Sequence, residues 1–206
     1  MSYALLNQTV SSLSAQYEVV QNNRPIYQIK VPLNLYGYRA EIYRDNRLQY
    51  TVAWDVKENL RGLAPAKREL SIMSIYDSLN TLRGRVYRRR NKLWGGYYYF
   101  VLEWGGVEYQ MYEIGLGKQG IKLPVYHNGA QIALIEKGTV VYDNKDSYPM
   151  IFQNDDGLLK SIFLTLYYDL VRFANRGEVV SNTKKTYFYY STNKELKQKY
   201  DPNWRP

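Results

Sequence analysis

The densest run of like charge in this chain lies at residues 83–92, with the sequence RGRVYRRRNK, and we call it the basic strip. Its cationic side chains are Arg83, Arg85, Arg88, Arg89, Arg90 and Lys92. Guanidinium and ammonium groups bind phosphate oxygens, so the basic strip predicts an anion-binding or headgroup-binding site. The phosphates would belong either to inositol lipids or to nucleic acid.

The alternation of a β-strand would divide the basic strip between two faces. The side chains expected at the surface are Arg83, Arg85, Tyr87 and Arg89. Those expected to point toward a core are Leu82, Gly84 and Val86. The alternative interpretation is a solvated outer face, paired with Glu41, Glu69 or Asp77.

Glu103 and Glu108 are the candidates for a carboxylate pair, because they flank the Gly105-Gly106 dipeptide. Two like charges side by side raise the pKa of one of them, which acid–base catalysis requires. The alternative, which we favour, is that each glutamate faces solvent beside a Lys or Arg.

Nucleophilic and metal chemistry have few side chains to draw on. The chain has no cysteine and one histidine, His127, in the turn sequence VYHNGA. A catalytic triad or a multi-histidine metal site therefore cannot be assembled from the usual groups, and no cofactor or metal is predicted. The sequence GLGKQG at 115–120 has the glycine spacing of a dinucleotide-binding loop, but a strand-like segment follows it instead of a helix. We predict a wide turn there, whose backbone amides and Lys118 form a weaker candidate for holding an anion.

The formal charge of +9 favours acidic partners, such as anionic lipid or nucleic acid. The 23 tyrosines fit half-buried sheet surfaces, because each has an apolar ring and a polar tip.

One segment has the pattern of a helix, the sequence GLLKSIFLTLYYDLVRFA at 157–174. Its apolar side chains cover most of the helical circumference, which predicts a buried helix. Acidic residues at 155 and 156 mark its start, and the sequence Asn175-Arg176-Gly177 marks its end. Charges at Lys160, Asp169 and Arg172 argue against a membrane span.

Most of the sequence before this helix alternates apolar and polar residues, as strands do. Tight hairpin turns are predicted at Asp45-Asn46, Gly105-Gly106 and Asn128-Gly129. The predicted strand pairs are 38–44 with 48–54, 70–76 with 82–89, 97–104 with 107–114, 121–126 with 131–136, and 140–142 with 150–152. A last strand is predicted at 186–191. Such a meander closes most simply into a barrel, so the predicted fold is mainly β: an antiparallel meander in a roughly twelve-stranded barrel around a hydrophobic C-terminal helix.

Three regions are predicted along the chain. Residues 1–23 are rich in Ser, Gln and Asn and are expected to form a loosely ordered arm. Residues 24–191 form the barrel with its central helix at 157–175, and residues 192–206 form a charged tail that frays. The first residues lack a basic region followed by a long apolar run, so a signal peptide is not predicted.

The turn IYDSLN at 75–80 leads into LRGRVYRRR, and a hydrophobic helix follows near the C-terminus. With the order of strands, these features resemble the tubby C-terminal-like superfamily, which includes the plant LURP-one-related proteins and the phospholipid scramblases. The resemblance covers about residues 24–191 and implies a twelve-stranded barrel threaded by a helix. In the family a Gly commonly follows the Tyr-Asp of this turn. Here Asn80 takes its place, and Asn also tolerates a left-handed backbone.

These observations predict a non-enzymatic binding or tethering module, cytoplasmic and peripheral at the membrane. Its expected partner is an anionic membrane surface or a phosphoinositide-like headgroup, bound through the basic strip. One alternative is a nucleic-acid-binding protein that uses the same strip, and another is a protein partner. A third is a β-barrel hydrolase or ligand carrier, which would need an open lumen.

Overall fold

The computed structural model describes residues 2–11, 14–32, 37–61, 69–92, 95–173 and 184–206. Its strands are β1 (Ser2–Ser11), β2 (Ala15–Gln21), β3 (Arg24–Val31), β4 (Arg39–Arg44), β5 (Arg47–Trp54), β6 (Glu69–Asp77), β7 (Leu82–Arg90), β8 (Tyr98–Trp104), β9 (Val107–Met111), β10 (Ile114–Gly117), β11 (Ile121–His127), β12 (Ala130–Lys137), β13 (Val140–Tyr142), β14 (Ser147–Phe152), β15 (Lys184–Thr186) and β16 (Tyr189–Tyr190). Its helices are α1 (Val56–Arg61), α2 (Asp155–Arg172) and α3 (Lys194–Lys197).

Twelve antiparallel strands close into a barrel around α2, so the predicted fold class is confirmed. Strands β1 to β9 are neighbours in chain order, and β11, β12 and β14 complete the circle back to β1. The pairing of β11 with β12 closes the sheet, so none of these twelve strands is an edge strand.

Two-residue turns set the register of the predicted hairpins. Asp45 and Asn46 have φ angles of 51° and 60°, and the Gly105-Gly106 turn has angles of 58° and 80°. Positive φ at both central residues matches the twist of the paired strands, which is why Asn, Asp and Gly occupy these turns. Asn80 also adopts a left-handed backbone, with φ of 59°, in the loop between β6 and β7.

The helix α2 fills the barrel interior. Asn154 caps its N-terminus, accepting a hydrogen bond of 2.9 Å from the backbone N–H of Gly157. Leu166, Phe163 and Tyr167 are fully buried and belong to one core with the inward side chains of the strands. The helix therefore begins two residues before the predicted 157 and is observed to Arg172, while the predicted end signals at 175–177 lie outside the described residues.

The predicted N-terminal arm is wrong, because residues 2–21 supply two barrel strands. Strand β1 pairs with both β14 and β2. The polar side chains of this region alternate with buried ones, among them Leu6, Tyr17 and Val19. The Ser/Gln/Asn-rich composition is therefore that of an outer barrel face.

The predicted pairing of 140–142 with 150–152 is also wrong. Strand β13 pairs with β15 in a separate two-stranded sheet, and β14 lies between β12 and β1 in the barrel. The single strand predicted at 186–191 is instead two short strands, β15 and β16, which belong to different sheets.

The predicted fraying tail is held against the outside of the barrel. Leu196 of α3 is buried with Tyr112 and Ile114, and the Tyr126 hydroxyl donates a 2.8 Å hydrogen bond to the carbonyl of Lys199. The Trp204 indole N–H donates to the carbonyl of Gln131 at 3.1 Å. Most of its charged residues are exposed, while its apolar residues and the half-buried Lys199 anchor it.

The two ends of the barrel differ. Helix α2 starts directly after β14, at the end that carries the turns Asp45-Asn46 and Gly105-Gly106. Its last turn, with Arg172 and Phe173, reaches the opposite end, which we call the Arg172 end. The ends of β7 and β12 at Arg90 and Lys137 lie there, because antiparallel strands alternate in direction.

Candidate anion-binding site

The alternation of β7 divides the basic strip as predicted from Arg83 onward, but Leu82, expected to point toward the core, is exposed at the start of the strand. Val86 is fully buried in the barrel core, whereas Tyr87 is buried in a separate cluster on the outer wall with Ile72 and Val101. Arg83, Arg85 and Arg89 therefore lie on the outer face. Arg88 and Arg90 follow Val86 on the inner face, toward the Arg172 end of the barrel.

Each outer arginine is paired with a carboxylate. Arg83 bonds Asp77 at 2.7 Å, and Arg85 bonds Glu103 at 2.8 Å. Arg89 bonds both Glu108 at 2.8 Å and Glu69 at 3.2 Å. These contacts neutralise most of the charge on this face.

Tyr87 joins the same network between the arginines. Its hydroxyl donates a 2.8 Å hydrogen bond to Glu103. Burial, together with this bond, raises the pKa of Tyr87, so its hydroxyl remains a donor. Lys92, at the end of the strip, pairs with Glu195 of α3 at 2.9 Å. The basic strip is thus not one continuous cationic surface.

Glu103 and Glu108 are direct register partners across the Gly105-Gly106 hairpin, as the sequence predicts. Glu103 bonds Arg85, and Glu108 bonds Arg89 and the side-chain amide of Gln110 at 2.7 Å. The interpretation we favoured, in which each stands beside a cation, is the observed one.

The inner pair has a different environment from the outer arginines. The guanidinium carbons of Arg88 and Arg90 lie 5.3 Å and 4.7 Å from the centroid of the Tyr98 ring. The buried Nε of Arg88 has no hydrogen-bond partner among the described residues. Two cations that share one aromatic ring repel each other, so a bound anion there would be favoured.

A cavity of about 220 Å³ lies beside Arg88. Its lining is Arg88, Tyr97, Tyr98, Phe100, Glu113, Arg172, Ser191 and Leu196. Arg172, from the last turn of α2, bonds Glu113 at 2.8 Å, which holds both side chains at the wall. We call this set the Arg88 cavity.

The charges at the Arg88 cavity favour an anion. Arg88 and Arg172 contribute two positive charges to the lining, and Glu113, which bonds Arg172, contributes one negative charge. Arg90 lies nearby, over the same Tyr98 ring as Arg88. Guanidinium groups bind phosphate and carboxylate oxygens with planar, paired donors. The arrangement suits a ligand that places a phosphate group beside Arg88.

The sequence identifies Arg88 and Arg90 as members of the basic strip but assigns them to neither face. It does not identify Tyr98, Arg172, Glu113 and Ser191 as lining residues. From the sequence, Arg172 serves only as one of the charges that argue against a membrane span. The even spacing of Val86, Arg88 and Arg90 was the available signal, since it places both arginines on the core-facing side of β7.

The remaining candidates have structural explanations. His127 ends β11 and stacks on Tyr109, with ring centroids 4.9 Å apart, and its Nδ1 lies 3.3 Å from the carbonyl of Glu108. A turn does join β10 to β11, but it is shorter than the predicted 115–120, because residues 115–117 belong to β10. The Leu116 N–H donates a 2.9 Å bond to the Gly120 carbonyl across it. A side chain at Gly115 would lie within 2.7 Å of the Tyr189 backbone, so close strand packing requires this glycine.

The described parts of the chain contain no group of three or more His, Cys, Asp and Glu side chains placed to share a metal ion. None of the helices described there is both long enough and apolar enough to cross a bilayer.

Comparison with protein-family models, with curated proteins and with solved structures finds no match to this chain.

Proposed function

We propose that this chain is a non-enzymatic binding module for phosphate-bearing anions, of the kind displayed by anionic membrane surfaces and phosphoinositide-like headgroups. The ligand phosphate lies in the Arg88 cavity, between Arg88, Arg90 and Arg172. The observation that carries the proposal is the placement of two guanidinium groups on one Tyr98 ring, beside a cavity that contains a single carboxylate.

The proposed partner is the one expected from the sequence, but its binding site is the Arg88 cavity and not the outer face of β7. The outer arginines already hold Asp77, Glu103, Glu108 and Glu69, so an anion would have to compete with these carboxylates. At the Arg88 cavity the lining supplies fewer carboxylates than cations, so an anion binds with less competition.

The proposal also places the module in the cytoplasm, peripheral at the membrane, and within the tubby-like group that its turn and strand sequences resemble. The barrel threaded by a helix agrees with that architecture. The helix fills the interior with apolar side chains, which disfavours a ligand carrier with an open lumen.

Isothermal titration calorimetry with soluble inositol trisphosphate tests the proposal. Arg88→Gln is expected to weaken binding by about tenfold or more, since a charge-assisted bond to phosphate contributes about 1.5–3 kcal/mol. Arg85→Gln is the matched control, because it removes the same charge from the outer face of the same strand. Thermal melting of both variants checks that the barrel is intact.

Three outcomes would contradict the proposal. Binding that Arg85→Gln weakens as much as Arg88→Gln would return the site to the outer face. Wild-type protein that ignores inositol trisphosphate but retards a single-stranded oligonucleotide would indicate nucleic acid instead. Wild-type protein that binds neither inositol trisphosphate nor the oligonucleotide would indicate a protein partner instead.

A further inference from the structure

Exposed large apolar side chains are concentrated in two segments of the chain, β13 and residues 187–190. Ten are exposed on the described part of the chain, and five of these lie on β13, on β16 or on the residues that precede β16. They are Val140 (39% exposed), Tyr142 (61%), Tyr187 (43%), Phe188 (53%) and Tyr190 (74%). We call this set the aromatic ribbon.

The aromatic ribbon is held in place by backbone pairing. Tyr142 is the register partner of Lys184, and the backbone N–H of Tyr187 donates to the carbonyl of Thr139 at 2.8 Å. The Tyr190 ring packs on Gly117, where a Cβ would approach it to 2.8 Å. The exposed side chains of the aromatic ribbon therefore lie on segments that backbone hydrogen bonds hold in place.

Lysines border the same surface. Lys184 is exposed, and its ammonium lies 5.9 Å from the centroid of the Tyr142 ring. Lys118 is exposed and directly follows Gly117. Lys145 forms a backbone bridge with Tyr142. Asp146, close in sequence, is buried and paired with Lys137, so Asp143 is the one carboxylate that residues 140–145 place beside these three lysines.

The aromatic ribbon and the Arg88 cavity lie at the same end of the barrel. Arg172 lines the Arg88 cavity and also a second cavity of about 190 Å³, whose lining includes Val141, Phe173 and Tyr187. Arg172 therefore lies between the Arg88 cavity and the cavity beneath Tyr187.

We infer that the aromatic ribbon is the surface by which this protein docks on an anionic lipid bilayer, with Tyr142 and Phe188 entering the headgroup region and the lysines meeting lipid phosphates. Tyrosine rings suit the membrane–water interface, where one end is apolar and the other is wet. Lysines held near an anionic membrane contribute about 1 kcal/mol each, so aromatic rings bordered by lysines suit an anionic bilayer. This inference rests on the proposed function, since the bilayer supplies the phosphate for the Arg88 cavity.

Sedimentation with phosphatidylcholine vesicles, with and without phosphatidylserine, tests the inference. The double variant Tyr142→Ser/Phe188→Ser is expected to weaken binding to the anionic vesicles by about tenfold or more, because both rings lose apolar burial. Lys184→Gln is expected to weaken it by about fivefold. Leu79→Ser/Leu82→Ser is the matched control, since these leucines are exposed at the opposite end of the barrel and their loss is expected to change nothing.

Titration with soluble inositol trisphosphate separates this inference from the proposed function. The ribbon double variant is expected to bind inositol trisphosphate like wild type, since its cavity is unchanged. Vesicle binding that survives in this variant, or that the Leu79→Ser/Leu82→Ser control loses, would overturn the aromatic ribbon while leaving the cavity intact. A wild type that binds inositol trisphosphate but no vesicle would also overturn it. A wild type that binds neither would overturn the proposed function itself.

Discussion

Glu103 and Glu108 face each other across the hairpin of β8 and β9, and an arginine of the neighbouring strand bonds each carboxylate. Arg89 is the centre of this arrangement. Besides its 2.8 Å bond to Glu108 and its 3.2 Å bond to Glu69, it lies 4.0 Å from Glu103. The outer face of β7 is therefore a structural ion network that spans four strands.

Arg89→Gln is expected to destabilise the protein by about 1–3 kcal/mol, because three carboxylates then lose a shared cation and two of them face each other. Urea unfolding measures the change. Arg83→Gln is the control, since Arg83 is half-exposed and bonds only Asp77 in this network, and it is expected to shift stability by less than about 1 kcal/mol. Equal effects of the two substitutions would show that the network adds nothing beyond single surface pairs.

Leu166→Asp is expected to abolish cooperative folding. Leu166 is fully buried on α2 at the centre of the barrel, and an unpaired charge there costs several kcal/mol. Circular dichroism with thermal melting checks the result. Leu79→Asp should melt like wild type, because Leu79 is 83% exposed. A normal melting temperature for Leu166→Asp would mean that the helix does not fill the barrel in solution.

Asp169 is the main buried titratable group of the helix. The hydroxyls of Tyr17 and Tyr148 each donate a 2.5 Å hydrogen bond to its carboxylate. Burial raises the pKa of Asp169 to about 6 from its ordinary value of 3.8, and the nearby Asp146 acts in the same direction. The two tyrosine bonds and Lys137 oppose this shift.

The raised pKa of Asp169 predicts that the stability of the protein decreases as pH rises. The folded protein binds the Asp169 proton more tightly than the unfolded chain does, so protonation of Asp169 stabilises the fold. This contribution to the free energy of unfolding is complete below about pH 4 and is lost as pH rises through about 6. Two pKa units correspond to roughly 3 kcal/mol. Urea unfolding of wild type and of Asp169→Asn between these pH values measures this contribution to the free energy of unfolding. The stability of wild type relative to the variant should fall as pH rises, and a constant difference would contradict the assignment.

Much of the fold could be predicted because its signals are local. Asp45-Asn46, Gly105-Gly106 and Asn128-Gly129 fix tight turns by their own backbone preferences. The helix α2 was visible from its apolar circumference. The first two strands were missed because composition outweighed pattern: Ala15, Tyr17 and Val19 do alternate, among polar neighbours that suggested an arm.

The candidate site could be predicted only in part, because its partners are distant in sequence. The charge on Arg85 and Arg89 is visible in the sequence, but their pairing with Glu103 and Glu108 depends on the register of three strands. The meeting of Arg88 with Arg172 depends on where the helix ends inside the barrel. Local sequence patterns do not show how far the helix extends through the barrel, so they cannot bring Arg88 and Arg172 together.

A nuclear magnetic resonance titration with inositol trisphosphate tests the central claim most directly, because it reports the site residue by residue. Spectra of the backbone amides and of the arginine Nε–H groups would be followed as the ligand is added. We expect the largest shifts at Arg88, Tyr98, Arg172 and Ser191, with Arg83 and Arg85 nearly unchanged. Shifts concentrated at Arg83 and Arg85, or no shifts at all, would contradict the assignment of the Arg88 cavity as the anion-binding site.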